Sequence, residues 1–522
     1  MGAAKATTTY DVALQRRQAL MGASGARALI KNFKVFRIAA FACIGGILYG
    51  YNQGMFSGIL TMASFGRHMG DYVENTTKKG WLTAILELGA WLGAVLSGAI
   101  AELCSRKYGI LIATTVFMLG VIIQATAVEA GHDSILAGRF ITGMGVGSLS
   151  TIVPLYNSEC APPGCNYIGG THVDTQSDAA WLVPICLQLA PALILFIGMI
   201  WMPFSPRWLI HHDRETEARE ILADLRGLPT DHELIELEFL EIKAQSLFEK
   251  RSLAERFPHL QALTASNIFK LQFVSIRALF QSRAMFKRVI VATVLYYAPQ
   301  IFGQLGLSEN TTSLLATGVV GIAMFIATVP AVLWIDRLGR KPVLIVGAIG
   351  MATCHIIIAV ILAKNIDNFH NHQAAGWAAI CMVWLFVVHF GYSWGPCAWI
   401  IIAEIWPLST RPYGTSLGAS SNWMNNFIVG QVTPDMLDGI TYGTYILFGL
   451  LTYIGAAFIY FFVPETKRLS LEEMDLIFGS EGTAQADAER MDEINREIGL
   501  AHILSQDGGV DQLGDEKPRT SV

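Results

Sequence analysis

The stretch Trp334-Ile335-Asp336-Arg337-Leu338-Gly339-Arg340-Lys341-Pro342 lies between two apolar runs of membrane-spanning length, at about 313–335 and 343–363. A tight turn between two such runs lies on one face of a bilayer, and its three cations assign that face to the cytoplasm by the positive-inside bias. A weaker copy, Ala101-Glu102-Leu103-Cys104-Ser105-Arg106-Lys107, occurs 234 residues earlier, again between long apolar runs. The two turns predict a duplicated helical membrane protein.

The composition agrees with this class. The 522 residues have a mean hydropathy of +0.43, and 15% are charged, against about 25% in soluble domains. The apolar residues fall in blocks of about 20, which is the length that crosses a hydrocarbon core of about 30 Å. The eight cysteines are scattered and show no metal-ligand spacing, so we expect no metal and no cofactor. We also expect no enzyme activity and no nucleic-acid partner.

Eleven apolar runs predict membrane spans. The number 5 is left unused, because a further span is expected between spans 4 and 6 and is missing from the sequence. They lie at about 35–60 (span 1), 81–101 (span 2), 109–129 (span 3), 135–156 (span 4), 181–202 (span 6), 289–302 (span 7), 313–335 (span 8), 343–363 (span 9), 378–403 (span 10), 413–432 (span 11) and 442–463 (span 12).

Topology indicates that a span is missing near 163–180. Four spans return the chain to the cytoplasm at Glu159, and one more would carry the basic segment after Phe204 to the outside. That segment, 203–288, holds thirteen Lys and Arg, which predicts a cytoplasmic location. Span 7 is also short, since its apolar run of 14 residues contains Pro299 and a full span needs about 20. The sequence therefore predicts the loss of span 5 and of part of span 7.

These boundaries divide the chain into five regions. We expect amphipathic helices at about 215–226 and 231–251, and disorder beyond about Ile477. The regions are a cytoplasmic N-terminal tail (1–34), an N-terminal helical bundle (35–202), a cytoplasmic helical linker (203–288), a C-terminal helical bundle (289–463) and a cytoplasmic polar tail (464–522).

Taken together, the motifs resemble the sugar porter family of the major facilitator superfamily, in its fungal monosaccharide branch, over about 35–478. The resemblance implies an all-α fold of two pseudo-symmetric bundles, with a sugar site between them at mid-membrane. It also implies a glutamine in span 5, a base after Glu159 and amides in span 7, all of which this chain lacks. The matching motifs are the two turns, Gly138-Arg139-Phe140, 154–159, 205–209, 395–399, 421–423 and 464–467.

A sugar offers many hydroxyl groups and no charge, so its site needs amides and aromatic faces. Packing is the alternative role for each tryptophan, and it is equally plausible for Trp423. Gly395-Pro396 is expected to bend span 10, and the tyrosine pair in span 7 resembles an extracellular gate. The expected substrate-binding residues are Asn422, Trp423, Trp399, Gly395, Pro396, Asn52, Gln53, Tyr296 and Tyr297.

Asn52 bears on energy coupling. Proton-coupled sugar porters usually carry Asp at this place in span 1, and Asn cannot bind and release a proton. This favours facilitated diffusion over proton symport. Glu87 in span 2 could carry the proton instead, or it could be the structural partner of a cation.

Charged residues near the two turns are predicted to act as a cytoplasmic gate that pairs across the bundles in one state and opens in the other. The alternative is that these bases only fix the topology. Each exposed pair is worth about 0–1 kcal/mol, so a network is needed to bias the equilibrium. The predicted gating charges are Glu102, Arg106, Arg139, Glu159, Asp336, Arg337, Arg340, Glu404 and Arg411.

The resulting prediction is a multi-pass plasma-membrane transporter of a monosaccharide, a hexose or a pentose, working by alternating access. Its partners would be the sugar, the lipid bilayer and, for a symporter, protons, and we expect a monomer. The alternatives are a carbohydrate:proton symporter, a sugar sensor that does not transport, and an inactive product of skipped coding segments.

Overall fold

A computed structural model describes most of the chain. Its continuous stretches are 62–160, 185–258, 265–300, 338–365, 372–406, 411–467 and 483–500, together with scattered single residues, while the side chains of 154–160 and 295–300 are not described. The proposed loss of span 5 falls at 161–181 and most of spans 1 and 8 fall between the single residues. Those predictions lie outside the described residues.

Every regular element in the described stretches is helical, as the all-α prediction requires. The helices are α1 (Ala63–Met69), α2 (Asp71–Glu74), α3 (Thr76–Ala125), α4 (Ala127–Ala130), α5 (His132–Cys160), α6 (Leu189–Trp201), α7 (Pro206–His211), α8 (Glu215–Arg226), α9 (Glu233–Arg256), α10 (Ala265–Ala278), α11 (Arg283–Gln300), α12 (Arg340–Asn365), α13 (Gln373–Tyr392), α14 (Trp394–Glu404), α15 (Arg411–Ile440), α16 (Tyr442–Phe462) and α17 (Thr483–Glu497).

Several of these helices are long and apolar enough to cross a bilayer. Within the described residues they lie at Thr76–Ala125, His132–Val153, Arg340–Asn365, Ala374–Ile402 and Tyr442–Phe462, and Ile185–Trp201 is a shorter apolar helix. The 50 residues of α3 are interrupted by a non-helical backbone at Ser105. Predicted spans 2 and 3 are therefore the two parts of α3, joined at the first turn.

The two largest apolar clusters of the described residues are built on different helices. One is built largely on α3 and α5, and the other on α12 to α16. The contact between α3 and α5 depends on glycine, because a Cβ on Gly89 would lie 2.0 Å from the carbonyl oxygen of Phe140 and one on Gly147 would lie 1.9 Å from that of Ala90. Small residues let helix backbones approach closely in lipid, where van der Waals packing drives association.

Span 10 breaks two residues before the predicted site. Ser393 ends α13 and caps α14, with φ −117° and ψ −82°, so span 10 does break and the break lies two residues before Gly395-Pro396. Pro396 has no N–H to donate to the carbonyl oxygen four residues earlier, and its ring clashes with that carbonyl in a continuous helix. The break places Pro396 in the first turn of α14, where a missing donor costs nothing.

The linker follows the prediction and the tail does not. Helix α8 occupies Glu215–Arg226, the predicted segment, and α9 extends to Arg256. The expected disorder beyond Ile477 is wrong for 483–500, because α17 forms there and packs on α9 through Ile494 and Phe248; the rest of the tail lies outside the described residues. Ion pairs from Arg251 to Glu497 (2.7 Å) and from Arg490 to a glutamate of α9 fix this contact. Polar composition concealed a helix that is amphipathic enough to dock.

Candidate functional site

Each of the two turns contains a residue with a positive φ. Gly339 has φ +91° and Ser105, at the equivalent place in the repeat, has φ +78°. The second turn is held by Glu465, whose carboxylate accepts hydrogen bonds from the backbone N–H groups of Arg340 (2.9 Å) and Lys341 (3.0 Å). These N–H groups have no partner within the helix, and an anion there is also favoured by the helix dipole.

Side chains around the second turn form a polar cluster within the C-terminal bundle. Arg340 donates to the Oε1 atom of Glu404 at 2.9 Å, and the guanidinium is almost buried. Thr466 donates to the other carboxylate oxygen of Glu404 at 2.5 Å. The structure therefore brings Arg340 and Glu404 together, and it adds Thr466 and Glu465, whose contacts sequence reasoning did not anticipate.

The first turn is bound by the linker. Arg106 donates to Glu102 at 3.1 Å, and the indole N–H of Trp208 donates to the carbonyl oxygen of Glu102 at 3.1 Å. The Nε2 atom of His211 lies 3.4 Å from Oε1 of Glu102, the carboxylate oxygen that Arg106 does not contact. Burial lowers the pKa of His211, and the carboxylate of Glu102 partly opposes this shift. The motif at 205–209 thus serves to seat α7 on the turn.

Arg139 does not belong to the cytoplasmic cluster, so that part of the gate prediction is wrong. Its Nη2 atom donates to the carbonyl oxygen of Thr83 at 3.0 Å. Thr83 and Glu102 are 19 residues apart on one uninterrupted part of α3, a distance of about 28 Å along the helix. The reason is that α5 begins at His132, and this start places Arg139 beside the N-terminal end of α3, far from Glu102.

Pairing of gating charges across the bundles stays a prediction. The described pairs, Glu102 with Arg106 and Arg340 with Glu404, each lie within one bundle. Asp336 and Arg337 lie outside the described residues, as do the side chains of Glu159 and Arg411.

The two bundles meet through polar contacts of α15. The indole N–H of Trp423 donates to the hydroxyl of Ser150 on α5 at 3.2 Å, and Trp423 is 1% exposed. Near the far end of α15, the hydroxyl of Thr77 donates to Asp435 at 3.0 Å. Trp423 therefore lies where the two bundles join, and its role in substrate binding stays a prediction.

A buried amide pair lies in the N-terminal bundle. The amide nitrogen of Asn52 donates to Oε1 of Gln188, and both side chains are at most 1% exposed. The Oδ1 atom of Asn52 has no hydrogen-bond partner among the described residues. Sequence reasoning missed Gln188, although it is the single amide in the apolar run of span 6 and such a residue signals a polar partner.

The remaining predicted site residues are placed only in part. Asn422 is buried and Trp399 is 44% exposed, while Gly395 and Pro396 are half-buried in the first turn of α14. The tyrosine pair at 296–297 belongs to α11, but its side chains lie outside the described residues, as does Gln53. His389 packs against Gly350 and contacts the hydroxyl of Tyr392 at 2.8 Å.

Comparison with known proteins gives a consistent result. The family described as "Sugar (and other) transporter" matches residues 38–172 and 164–478. The quinate permease of Neurospora africana is 30% identical over 505 residues, covering 89% of this chain and 92% of that protein. The major facilitator-type transporter ecdD of Aspergillus rugulosus is 31% identical over 492 residues, covering 86% of this chain and 88% of that protein.

Solved structures show the same fold. The inward-open conformation of the xylose transporter XylE from E. coli aligns with a TM-score of 0.65 at 22% identity, covering 85% of this chain and 99% of that one. XylE described as a proton:xylose symporter, bound to 6-bromo-6-deoxy-D-glucose, aligns with a TM-score of 0.60 at 24% identity, covering 85% of this chain and 99% of that one.

Proposed function

This chain belongs to the sugar transporter family and is a multi-pass membrane transporter, and we propose that it carries a monosaccharide or a similarly hydroxylated ring compound by alternating access. Quinate enters this proposal because several relatives are named quinate permeases. Both solute types present ring hydroxyl groups, which amide side chains can bind.

The observation that carries the proposal is the buried amide pair. Asn52 and Gln188 lie on different helices of one bundle, and the free Oδ1 atom of Asn52 can accept a hydrogen bond from a solute hydroxyl. A buried acceptor without a partner costs about 1–3 kcal/mol, so a ligand that supplies the donor recovers this free energy. A neutral hydroxylated solute fits better than an apolar one.

A second observation supports alternating access. The bundles touch through Trp423 and Ser150, and through Thr77 and Asp435. Thr77 is the third residue of the sequon that begins at Asn75, and this sequon predicts an outer location for that end of α3. This contact joins the ends of α3 and α15 that we expect on the outer side. Opening it exchanges a few hydrogen bonds for water, which suits two states of similar free energy.

We further propose that the protein has no enzyme activity, works as a monomer and resides in the plasma membrane. The predicted loss of span 5 and of part of span 7 remains part of the proposal. Its support is that the alignment with the quinate permease runs over 505 residues while taking in 89% of the 522 residues here. Some aligned positions therefore have no counterpart in this chain.

The test is uptake of radiolabelled D-xylose, D-glucose and quinate in a yeast that lacks its own hexose uptake. One strain expresses this chain, and a matched strain expresses a version with both missing segments restored from a relative. Uptake by the restored version alone supports the family function and shows that the lost segments matter. Failure of both versions, each confirmed at the membrane by immunoblot, contradicts the proposal and favours the sensor.

Topology is tested separately by glycosylation. Asn75 and Asn310 belong to sequons that the proposal puts outside, so both should be modified. Modification of Asn75 without Asn310 would count against the family orientation of the second bundle.

A further inference from the structure

The exposed face of α10 has the composition of a surface that contacts lipid. Phe273 and Val274 are 63% and 37% exposed, whereas Gln272 and Ser275 are buried. A surface helix of a soluble protein buries its apolar residues and exposes its polar ones, and this arrangement is reversed here. An exposed apolar patch bordered by polar residues marks an interaction surface.

Cations border the apolar residues on the same face of α10. Lys270 and Arg277 are both exposed. Together with Phe273 and Val274 they occupy positions i, i+3, i+4 and i+7, which lie on one side of a helix. The described part of this face therefore combines two positive charges with two apolar side chains.

The start of α11 repeats this pattern. Arg283, Phe286, Lys287 and Ile290 have the same spacing, and all four are exposed. Phe280, in the turn between the two helices, is also exposed, and its ring centroid lies 6.3 Å from that of Phe286. This contact connects the two faces, which with Phe280 form what we call the elbow surface.

The elbow surface carries positive charge that no nearby acid neutralises. The sequence from 257 to 308 contains no Asp or Glu, and its four cations have no ion-pair partner among the described residues. The lysines of α9 differ, since Lys243 pairs with Glu215 and Lys250 with Asp213, each at 2.9 Å. A basic surface with exposed aromatic rings is complementary to anionic lipid headgroups and to the upper parts of the acyl chains.

Two contacts indicate that the elbow surface lies at the cytoplasmic boundary of the bilayer. The side-chain amide of Gln272 donates to the carbonyl oxygen of Val95 on α3 at 2.6 Å. Val95 precedes Glu102 of the first turn by seven residues, which is about 10 Å along the helix. Helices that lie in the interface are buried to about 5–10 Å. Arg288 of α11 lies over the ring of Phe478 in the C-terminal tail, 4.7 Å from its centroid.

We propose that the elbow surface binds the headgroup of an anionic phospholipid in the cytoplasmic leaflet. Its four cations bind the phosphate and carboxylate oxygens of the headgroup, and its exposed rings insert among the upper acyl chains. Helix α10 therefore belongs to the membrane interface and not to the aqueous part of the linker. The inference holds whichever solute is carried, because no residue of the elbow surface belongs to the candidate site.

The test measures binding of short-chain fluorescent lipids to the purified full chain in detergent, by fluorescence anisotropy. Phosphatidylserine should bind more tightly than phosphatidylcholine, and added salt should reduce the difference. Each cation near an anionic lipid contributes about fivefold to the affinity. Lys270→Gln combined with Arg277→Gln should therefore weaken phosphatidylserine binding about 25-fold. The matched control, Lys243→Gln combined with Lys250→Gln, should leave it unchanged.

Three results of this experiment would overturn the inference. The first is equal affinity for the two lipids, and the second is an equal loss of affinity in the two double variants. The third is displacement of phosphatidylserine by an equal concentration of glycerophosphoserine, because the site would then accept a soluble phosphate ester and not a membrane surface.

A second measurement uses the unmodified protein and does not depend on the folding of a variant. Phosphatidylserine with a photoactivatable group at the top of one acyl chain is mixed into phosphatidylcholine vesicles that contain the protein. It should label the tryptic peptides 271–277 and 278–283 and no peptide of α9. Absence of label from both elbow peptides overturns the inference, and so does equal labelling by a photoactivatable phosphatidylcholine.

Discussion

Replacing Ser105 by glycine should stabilise the protein. The φ of +78° and ψ of +153° at Ser105 fall in a region used almost only by glycine, and a residue with a side chain held there costs about 1–3 kcal/mol. Glycine loses about 0.5–1 kcal/mol more conformational free energy on folding. The hydroxyl of Ser105 accepts one long hydrogen bond, from the N–H of Lys107 at 3.3 Å, which is too weak to alter the balance.

The expected net gain is about 1 kcal/mol of unfolding free energy. In a chain of this size the gain corresponds to a rise in the apparent melting temperature on the order of 1–2 °C. The assay is thermal unfolding of the detergent-solubilised protein, followed by tryptophan fluorescence at a fixed scan rate, because membrane proteins unfold irreversibly and the scan rate then affects the midpoint.

Two matched variants separate backbone strain from other effects. Ser105→Ala keeps the Cβ and should give no gain. Gly339→Ala should destabilise, because it imposes the same strain at φ +91° and sets a Cβ 2.8 Å from the Glu465 carboxylate. Equal midpoints for Ser105→Gly and Ser105→Ala would refute the reasoning, and so would a Gly339→Ala protein as stable as the parent.

Three further outcomes follow from described contacts. The pKa of His211 is lowered by burial, so the unfolded chain binds a proton more readily than the folded protein. The stability of the fold should therefore fall as the pH drops below about 6.5. Melting curves from pH 7.5 to 5 should show a smaller loss of stability for His211→Gln than for the parent protein. Arg226→Ala removes the cation from the ion pair with Glu238, whose side chains are 8% and 3% exposed. Loss of this buried pair should cost about 3–5 kcal/mol, measurable by chemical denaturation, and a loss below 1 kcal/mol would contradict the reasoning. Gly89→Ala forces α3 away from α5 and should lower the yield of folded protein on size-exclusion chromatography, whereas Gly66→Ala, where a Cβ meets nothing, should leave it unchanged.

Sequence reasoning was sufficient where one periodicity or one motif decides the outcome. The ends of α8 were predicted because its acidic first turn, apolar stripe and the C-terminal Gly227 agree. The spans found in α3, α5, α12, α13 with α14, and α16 followed from length and hydropathy. The family followed from motifs in a fixed order, which the comparisons confirm.

Other features depend on contacts that no local pattern encodes. The break at Ser393 depends on how a proline fits a helix start, and α17 becomes ordered because α9 offers it an apolar groove and two ion-pair partners. Gln188 looked like an isolated polar residue until its helix was placed beside Asn52. Arg139 was grouped with the gate on sign and family position, while its depth depends on where α5 begins.

The docking of α17 on α9 brings a helix near the C-terminus into contact with a helix near the middle of the chain. The chain between the end of α9 at Arg256 and the start of α17 at Thr483, which includes the whole C-terminal bundle, therefore begins and ends at one pair of packed helices. Because both ends of the C-terminal bundle connect to these packed helices, the bundle can rotate relative to them but cannot separate from them. We therefore expect a disulfide crosslink between Arg251→Cys and Glu497→Cys to leave alternating access intact, because it joins two helices that are already in contact.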